Sequence, residues 1–379
     1  MRPVGASVST PAVSVGHDQA LHVREISRAQ KQNAMANPNP NSKPDPEAFK
    51  HRYFTEIAPK YAQVTGNTTL GLFSQVLTHR DGLSITSDSI VHDNAAGPGT
   101  ATEALIAWCH QHDVSPPRKI VVTDYVPAMI EACEARLIKS KTEKHHGNAD
   151  DDADALVEQS KNDVALSVTA SVTDSSNLKD LADDDTFTHS ICNFSIFNLT
   201  DPVQCLREMH RTLQVGGTVV VTCWKRFAVE EVLSAAQRFV KGDEWANAHR
   251  IPAAGPQFAQ EGYTAGLVRE AGFAADTVET FALEKLVTGA VADPDPVPVP
   301  QKGDEGEVGA DEFESESESA NWRGLYEFLT TSSLKNAATR DWSAEEVAKW
   351  PDAVEAAMQQ EKESFGGLRF EAWVVIARK

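Results

Sequence analysis

The sequence lacks the features of several protein classes. None of its five cysteines belongs to a CxxC pair, so their spacing indicates neither a metal site nor a disulfide framework. No stretch approaches the roughly 20 apolar residues of a membrane span, and no apolar segment near the N-terminus precedes a small-residue cleavage site. We therefore expect a reduced, cytoplasmic protein with no metal and no membrane span.

Positive charge is also scarce. The chain carries 35 Lys and Arg residues against 55 Asp and Glu residues, for a formal net charge of −20. Ten of the acidic residues, with a single lysine, fall within residues 293–319. A surface this acidic repels the phosphate backbone of nucleic acids. Nucleic acid is therefore not expected as a partner, and the oligomeric state is left open.

Composition divides the chain into four regions. Residues 1–44 contain NPNPNSKPDP and little apolar periodicity, which predicts a disordered tail. Residues 293–319 are rich in proline and acid, which predicts an acidic disordered insert. Residues 45–292 and 320–379 are expected to form one domain. Residues 320–379 contribute helices and the last strand, RFEAWVVIARK, to it.

Short apolar runs alternate with helical patterns in the first part of this domain. The runs are SIVHD (89–93), RKIVVTD (118–124), ALSVTASVTD (165–174), THSICNF (188–194) and GGTVVVTCW (216–224). Strands that alternate with helices indicate a parallel sheet covered on both faces. Two amphipathic helical segments are predicted before the first strand.

The turn after the first strand, HDNAAGPGTAT (92–102), combines an aspartate with two glycines. Glycine lets the backbone approach a ligand closely, and the N-terminus of the next helix favours negative groups. However, the turn lacks the dinucleotide fingerprint G-x-G-x-x-G, and Asp93 would repel a pyrophosphate. A ligand with a cationic amine or sulfonium group suits this turn better.

These motifs resemble those of the class I S-adenosylmethionine-dependent methyltransferases. The first motif of that family reads roughly D-x-G-x-G-x-G, which Asp93, Gly97 and Gly99 match, while Ala95 replaces the first glycine. Asp124 ends the second strand, where the resemblance implies an acid that binds the two ribose hydroxyls. The segment ICNFSIFNLTDPVQCLREMHRTLQVGG resembles the fourth-strand motif and the helix that follows it.

The resemblance also implies an adenine site. It places Tyr125 and Met129 beside the adenine ring. The segment TDSSNL (173–178) is similar to the third motif, D-A-x-x-L. In that motif Asp174 would accept a hydrogen bond from the adenine amino group, and the backbone of Ser175 would donate one to the ring.

The resemblance also implies which residues surround the methionine end of the cofactor and the methyl acceptor. The segment FTEIAPKYA (54–62) is similar to an N-terminal element of quinone-biosynthesis methyltransferases, in which Tyr61 would close over the methionine end. The resemblance adds Asn193 and Phe194 to the cofactor site. Phe197 and Trp224 are expected in the substrate pocket.

The family has an α/β fold with a doubly wound, mostly parallel, seven-stranded Rossmann-like sheet, an antiparallel last strand and an N-terminal helical lid. The resemblance thus implies a methyltransferase that uses S-adenosyl-L-methionine and transfers its methyl group in line to a small-molecule acceptor, at a thiol, hydroxyl or amine. The segments NFSIFNLTD and TCWKRF look most similar to fungal small-molecule methyltransferases of secondary metabolism. No residue stands out as a catalytic base.

Other interpretations stay open at this point. Asp93 could cap the next helix, Asp174 could be an ordinary loop residue, and Tyr61 could serve packing alone. The aromatic residues of the expected substrate pocket could equally belong to the core. The replacement at Ala95 and the acidic insert are compatible with a methyltransferase-like protein that binds without catalysis, and a nicotinamide-dependent oxidoreductase is a third possibility.

Overall fold

The computed structural model describes residues 46–142, 167–289 and 310–379. The chain divides into two units, and the boundary in the sequence lies between Phe49 and Lys50. The second unit, Lys50–Lys379, holds the sheet and all the residues of the site. The predicted tail at residues 1–44 lies outside the described residues.

A sheet of seven strands forms the centre of the second unit, in the order β3-β2-β1-β4-β5-β7-β6. The strands are β1 (Ile90–Asn94), β2 (Lys119–Asp124), β3 (Ser167–Val172), β4 (Phe187–Asn193), β5 (Leu213–Arg226), β6 (Glu279–Val287) and β7 (Leu368–Arg378). The first five are parallel to one another, whereas β7 runs antiparallel between β5 and β6. The predicted doubly wound, mostly parallel sheet with an antiparallel last strand is confirmed.

Burial explains why the central strands form where they do. Five of the six residues in β2 (KIVVTD) are buried, and the run of β-branched residues suits a parallel strand covered on both faces. The edge strand β3 (SVTASV), by contrast, has no buried residue. Its small and polar residues fit a position at the margin of the sheet.

Thirteen α-helices surround the sheet among the described residues. Before β1 and between the first parallel strands lie α1 (Pro46–Ile57), α2 (Tyr61–Thr65), α3 (Thr68–His79), α4 (Thr100–Gln111) and α5 (Pro127–Thr142). After β4 and β5 come α6 (Pro202–Thr212), α7 (Ala228–Lys241), α8 (Asp243–Ala248) and α9 (Tyr263–Glu270). Between β6 and β7 lie α10 (Ala310–Thr331), α11 (Ser333–Ala338), α12 (Ala344–Ala348) and α13 (Trp350–Phe365).

Alternate residues of β5 enter two different core clusters. Val220 packs with α3 and α4 through residues such as Phe73 and Leu105, while Val219 packs with α6 and α9 through Leu206 and Val268. This alternation is what a strand covered on both faces requires. A third cluster joins α7, α10 and α13 to β7, and buries two tryptophans, Trp322 and Trp350, almost completely.

One predicted boundary needs correction. Helix α10 begins at Ala310, inside the segment 293–319 that was predicted to be disordered, so the predicted end of that segment at 319 is too late. Residues 290–309 lie outside the described residues. The early start follows from the composition of the segment, because residues 311–319 contain no proline or glycine and several glutamates, which are good helix formers.

The order of the strands defines where a ligand can bind. Strand β1 pairs with β2 on one side and with β4 on the other, so the direction in which the chain adds strands reverses between β1 and β4. In α/β sheets, ligands bind outside the carboxyl ends of the strands at such a switch point. The glycine turn, Asp124 and Asn193 all lie at this edge.

Candidate active site

The glycine turn between β1 and α4 uses left-handed backbone conformations. The φ angles of Ala95, Gly97 and Gly99 are 51°, 56° and 77°. A Cβ atom on Gly99 would lie 2.5 Å from the sulfur of Cys133, so a side chain is excluded there by both conformation and space. Ala95 accepts the left-handed conformation that the family motif assigns to glycine, at a cost of roughly 1–2 kcal/mol.

Asp124 fastens this turn to the end of β2. Its Oδ2 accepts a hydrogen bond from the N–H of Gly97 at 2.8 Å, and its Oδ1 accepts one from the N–H of Val126 at 2.8 Å. Burial raises the pKa of Asp124, and the two backbone N–H groups oppose that shift. Each carboxylate oxygen can accept a second hydrogen bond, so Asp124 retains the capacity to bind a pair of hydroxyls.

Asp93 is fully buried and only half satisfied. Its Oδ2 accepts hydrogen bonds from the N–H and the hydroxyl of Thr102, at 3.1 and 2.7 Å. These bonds cap the first turn of α4, as a structural interpretation of Asp93 expects. Its Oδ1, however, is buried without a hydrogen-bond partner, and a buried carboxylate oxygen in that state is costly unless a donor or a cation approaches it.

The electrostatics of Asp93 agree with this geometry. Burial raises its pKa to about 6; the bonds from Thr102 lower it, and the nearby carboxylate of Asp124 raises it further. Two acids therefore flank one turn, and the site favours a cationic group beside Asp93. Thr102 was not identified from the sequence, because a threonine in the first turn of a helix carries no distinctive signal.

The residues predicted around the adenine lie in different environments. Ser175 is buried, and its hydroxyl donates to Oδ1 of Asn94 at 2.9 Å. Met129 is buried, with its sulfur 3.9 Å from the position of a Cβ on Gly97. Tyr125 is 55% exposed. Asp174 is exposed, and its Oδ1 accepts from the N–H and hydroxyl of Ser176, both at 2.8 Å.

Two further predicted residues, Asn193 and Tyr61, belong to β4 and α2. Asn193, at the end of β4, is 7% exposed, and its amide nitrogen donates to the carbonyl of Thr69 and the hydroxyl of Thr100, each at 3.4 Å. Tyr61 begins α2; burial raises its pKa to about 12, the side chain of Thr69 lowers it and the charge of Asp124 raises it. Asn193 thus contacts Thr69 at the start of α3, whereas Tyr61 packs in the cluster that contains Val126 and Met129.

Aromatic residues at the ends of β4 and β5 form a cluster. The rings of Phe194 and Trp224 are 4.0 Å apart, and Trp224 also contacts Phe227 and Phe370, at 4.8 and 5.8 Å between ring centroids. Phe194 has a φ of 52°, an unusual conformation for a bulky residue, held by a hydrogen bond from its N–H to the hydroxyl of Thr222.

Burial limits what this cluster shows about an acceptor. Phe194 and Trp224 are only 4% and 6% exposed and belong to the core cluster of α7, α10 and α13. Phe197 is half-buried, 6.2 Å from the ring of Phe258. The assignment of Phe197 and Trp224 to a substrate pocket therefore stays a prediction.

Helix α1 contacts loops on both sides of the switch point. The amine of Lys50 donates to the carbonyl of Asn198, after β4, at 3.0 Å. The ring of His51 meets Tyr125, after β2, edge to face at 6.1 Å. The middle of α1 therefore reaches across the carboxyl edge of the sheet, where the sequence predicts a helical lid. Neither contact was expected, because neither residue belongs to a motif.

Within residues 46–142, 167–289 and 310–379, no group of three His, Cys, Asp or Glu side chains could hold a metal ion. In the same ranges, no helix combines the length and the apolar character needed to cross a membrane.

Comparison with known proteins agrees with the motifs. Residues 93–221 match the family described as "Methyltransferase domain". The curated protein "Methyltransferase ucsB" from Acremonium is 29% identical over 181 residues, which are 48% of this chain and 56% of that protein. The chain thus matches about half the length of this relative.

Similar proteins of known structure have low sequence identity to this chain. A proposed methyltransferase from Bacillus halodurans is 13% identical and covers 82% of this chain and 98% of its own, with a TM-score of 0.40. A SAM-dependent methyltransferase from Aquifex aeolicus is also 13% identical, covering 65% and 93%, with a TM-score of 0.36. The family match begins at Asp93, includes the glycine turn, Asp124 and β4, and lies on the doubly wound sheet described above. The family match and the curated relative therefore support a class I S-adenosylmethionine-dependent methyltransferase.

Proposed function

We propose that this protein transfers the methyl group of S-adenosylmethionine to a small-molecule acceptor with a thiol, hydroxyl or amine group. The observation that carries this proposal is the pair of buried acids at the switch point. Asp124 is bonded to the glycine turn, and Asp93 keeps one carboxylate oxygen without a partner. A ligand with ribose hydroxyls and a cationic amino group would satisfy both.

The residues at the site fit this cofactor. Asp124 would accept the ribose hydroxyls. Asp93, Tyr61 and Asn193 would surround the methionine end, with Oδ1 of Asp93 facing the cationic group. The turn itself has room, because a Cβ on Gly97 would have no neighbour nearer than 3.9 Å.

The adenine would lie on the β2–β3 side of the turn. Tyr125 and Met129 would border its ring, while Asp174 and the backbone N–H of Ser175 would read its hydrogen-bonding edge. The bond from Ser175 to Asn94 fixes the loop that carries both residues. Ala95 and Gly99 would act through the backbone alone, since they shape the turn.

The cofactor supplies a methyl group already activated on a sulfonium. What the chain must do is hold the acceptor in line and keep water away, and such positioning can contribute roughly 7–11 kcal/mol to barrier lowering. Phe194 and its neighbour Phe197 lie after β4, where an acceptor would approach. An aromatic face there would also attract the sulfonium, by roughly 0.5–2 kcal/mol.

A role in secondary metabolism is part of the proposal and is supported only by the resemblance to fungal enzymes and by the relative from Acremonium. A reducing compartment such as the cytoplasm suits the cysteines, since all five are free and buried. No partner other than a small molecule is proposed.

Binding without catalysis is the second candidate, and Ala95 is the observation that favours it. Its methyl group stands in a left-handed turn that the family builds with glycine. Incubation with methyl-labelled S-adenosylmethionine and a panel of thiol, phenol and amine metabolites separates the two. Transfer of label to a metabolite supports the enzyme, whereas cofactor binding with no transfer to any of them favours the silent protein.

A further inference from the structure

The loop between β3 and β4 is fastened from a distant helix. Its first residues, Thr173–Leu178, carry Asp174 and Ser175, and helix α6 contacts this segment at two points. The amide of Gln204 donates to the carbonyl of Ser176 at 3.2 Å, and Oε2 of Glu208 accepts from the N–H of Leu178 at 2.7 Å. The stretch that would read the adenine is thus bonded to the helix that follows β4.

Glu208 is the stronger of these two anchors. It is 6% exposed, and its carboxylate forms a two-point pair with Arg211, with Oε1 2.9 Å from Nε and Oε2 2.8 Å from an Nη. A buried carboxylate is stable only when it is paired and hydrogen-bonded, and Arg211 meets that condition here. The pKa of Glu208 is lowered, chiefly by these bonds from Arg211.

Arg211 extends the same contact along the loop. It also donates to the carbonyl of Ala182 at 3.2 Å and to the carboxylate of Asp184 at 2.8 Å. Glu208 and Arg211 therefore hold the loop at both ends, Leu178 near the adenine motif and Ala182–Asp184 before β4. Leu178 itself is fully buried, so this part of the loop has no solvent to replace a lost bond.

We propose that Glu208 is a positioning residue that sets the selectivity of the site for adenine, by holding Leu178 and hence the hydrogen-bonding groups of Asp174 and Ser175 in place. This inference rests on the proposed function. Glu208 does not touch the cofactor in this scheme. Its effect is confined to the base, because the ribose and methionine ends are held by Asp124 and Asp93 on other strands.

The base supplies a probe for this role. S-Adenosylhomocysteine and S-inosylhomocysteine differ only at the purine, where hypoxanthine replaces an amino donor by a carbonyl and a ring acceptor by an N–H donor. The dissociation constant of S-inosylhomocysteine divided by that of S-adenosylhomocysteine measures how strongly the loop favours adenine. Calorimetric titration of the full chain with both compounds gives this ratio for each variant.

Three variants separate positioning from stability. Glu208→Ala removes the acceptor of Leu178 and the partner of Arg211, and the ratio is expected to fall by roughly tenfold, in line with one charge-assisted hydrogen bond. Glu208→Gln has the same shape and keeps an acceptor for Leu178, so the ratio is expected to fall by about threefold. Met209→Ala is the control: Met209 is fully buried in the core cluster on the same helix, so it lowers the melting temperature and leaves the ratio at the wild-type value.

Each outcome decides the matter. A wild-type ratio in both Glu208 variants overturns the inference, as does an equal fall in Met209→Ala. If Glu208→Ala does not fold, Glu208→Gln decides alone: a fall of about threefold supports the role, and an unchanged ratio refutes it. Folded wild-type protein that binds neither compound refutes the proposed function itself, and the role of Glu208 with it.

Discussion

The two halves of the carboxyl edge of the sheet are built differently. On the β1–β3 side, polar groups are fixed by hydrogen bonds: Asp124 to Gly97, Ser175 to Asn94 and Leu178 to Glu208. On the β4–β5 side, Phe194, Trp224 and their aromatic neighbours pack into the core. The first half is suited to recognise one defined ligand, and the second provides shape and apolar surface.

This difference links each half to a different property. Hydrogen bonds to a charged group give specificity at modest cost to the fold, whereas buried aromatic side chains dominate packing energy. Substitutions on the β1–β3 side should therefore change cofactor affinity, and those on the β4–β5 side should change stability first. Four substitutions test this division.

Trp224→Ala should have the largest effect. It removes a nearly buried indole between Phe194 and Phe370, and such truncations typically cost about 3–5 kcal/mol of unfolding free energy. Urea unfolding measures the loss, with Trp224→Phe as a control that should lose less than half as much. In calorimetry at a temperature where the variant is folded, affinity for S-adenosylhomocysteine should be unchanged. A large loss of affinity in fully folded Trp224→Ala would show that the aromatic residues of the β4–β5 side also contribute to cofactor binding.

Asp124→Ala should weaken cofactor binding by at least about tenfold, because each hydrogen bond to the charged carboxylate contributes roughly 1.5–3 kcal/mol. Some stability should also be lost, since the N–H groups of Gly97 and Val126 lose their acceptor. Asp124→Asn keeps the shape of the side chain. Its affinity for the cofactor in titration calorimetry should lie between those of Asp124→Ala and the wild type. Unchanged affinity together with a sharp fall in melting temperature would make Asp124 a structural residue of the turn.

Asp93 should make stability depend on pH in the cofactor-free protein. Its pKa in the fold, about 6, lies above the ordinary value near 4, so the folded state binds this proton more tightly than the unfolded state. Its contribution to stability is therefore full below pH ~4 and is lost as the pH rises through 6. Asp93→Asn keeps an acceptor for Thr102 and should be more stable than the wild type at pH 7, by about 1–2 kcal/mol.

Thermal unfolding of both proteins from pH 4 to 7.5 checks this sign. The advantage of Asp93→Asn should grow as the pH increases from about 4 to 6 and then level off. The same variant should bind the cofactor less tightly, since it lacks the charge that faces the cationic group. A variant less stable than the wild type at pH 7 would mean that the cap on α4 outweighs the buried charge.

Ala95→Gly should have the smallest effect. It relieves a left-handed alanine but adds chain entropy to the unfolded state, so the gain in unfolding free energy should not exceed about 1 kcal/mol. Turnover, if present, should be retained, because the family motif has glycine here. Activity that appears only in Ala95→Gly would identify the natural protein as the silent form.

The β1–β3 half was largely predictable from the sequence, because its residues lie in short motifs at strand ends. Asp93, the glycine turn and Asp124 are local signals, and the βα alternation gives the sheet. Strand β6 was not identified as such: ETFALEKLV (279–287) has charged residues on both faces, so its period of two is weak. Its place at the edge, paired only with β7, explains this composition.

The β4–β5 half could not be predicted in the same way. Phe370 reaches Trp224 from the far end of the chain, and α10 and α13 complete the cluster. Such contacts join residues far apart in sequence, and no local pattern records them. Glu208 is a similar case, since its partner Leu178 lies across a strand and a loop.

The central claim is that the switch point binds S-adenosylmethionine, and a calorimetric titration of the full chain with S-adenosylmethionine and, separately, with NAD tests it directly. We expect saturable binding of one molecule of S-adenosylmethionine per chain, which Asp124→Ala weakens, and no binding of NAD because Asp93 repels a pyrophosphate. Folded protein that binds NAD and not S-adenosylmethionine would contradict the assignment of the site.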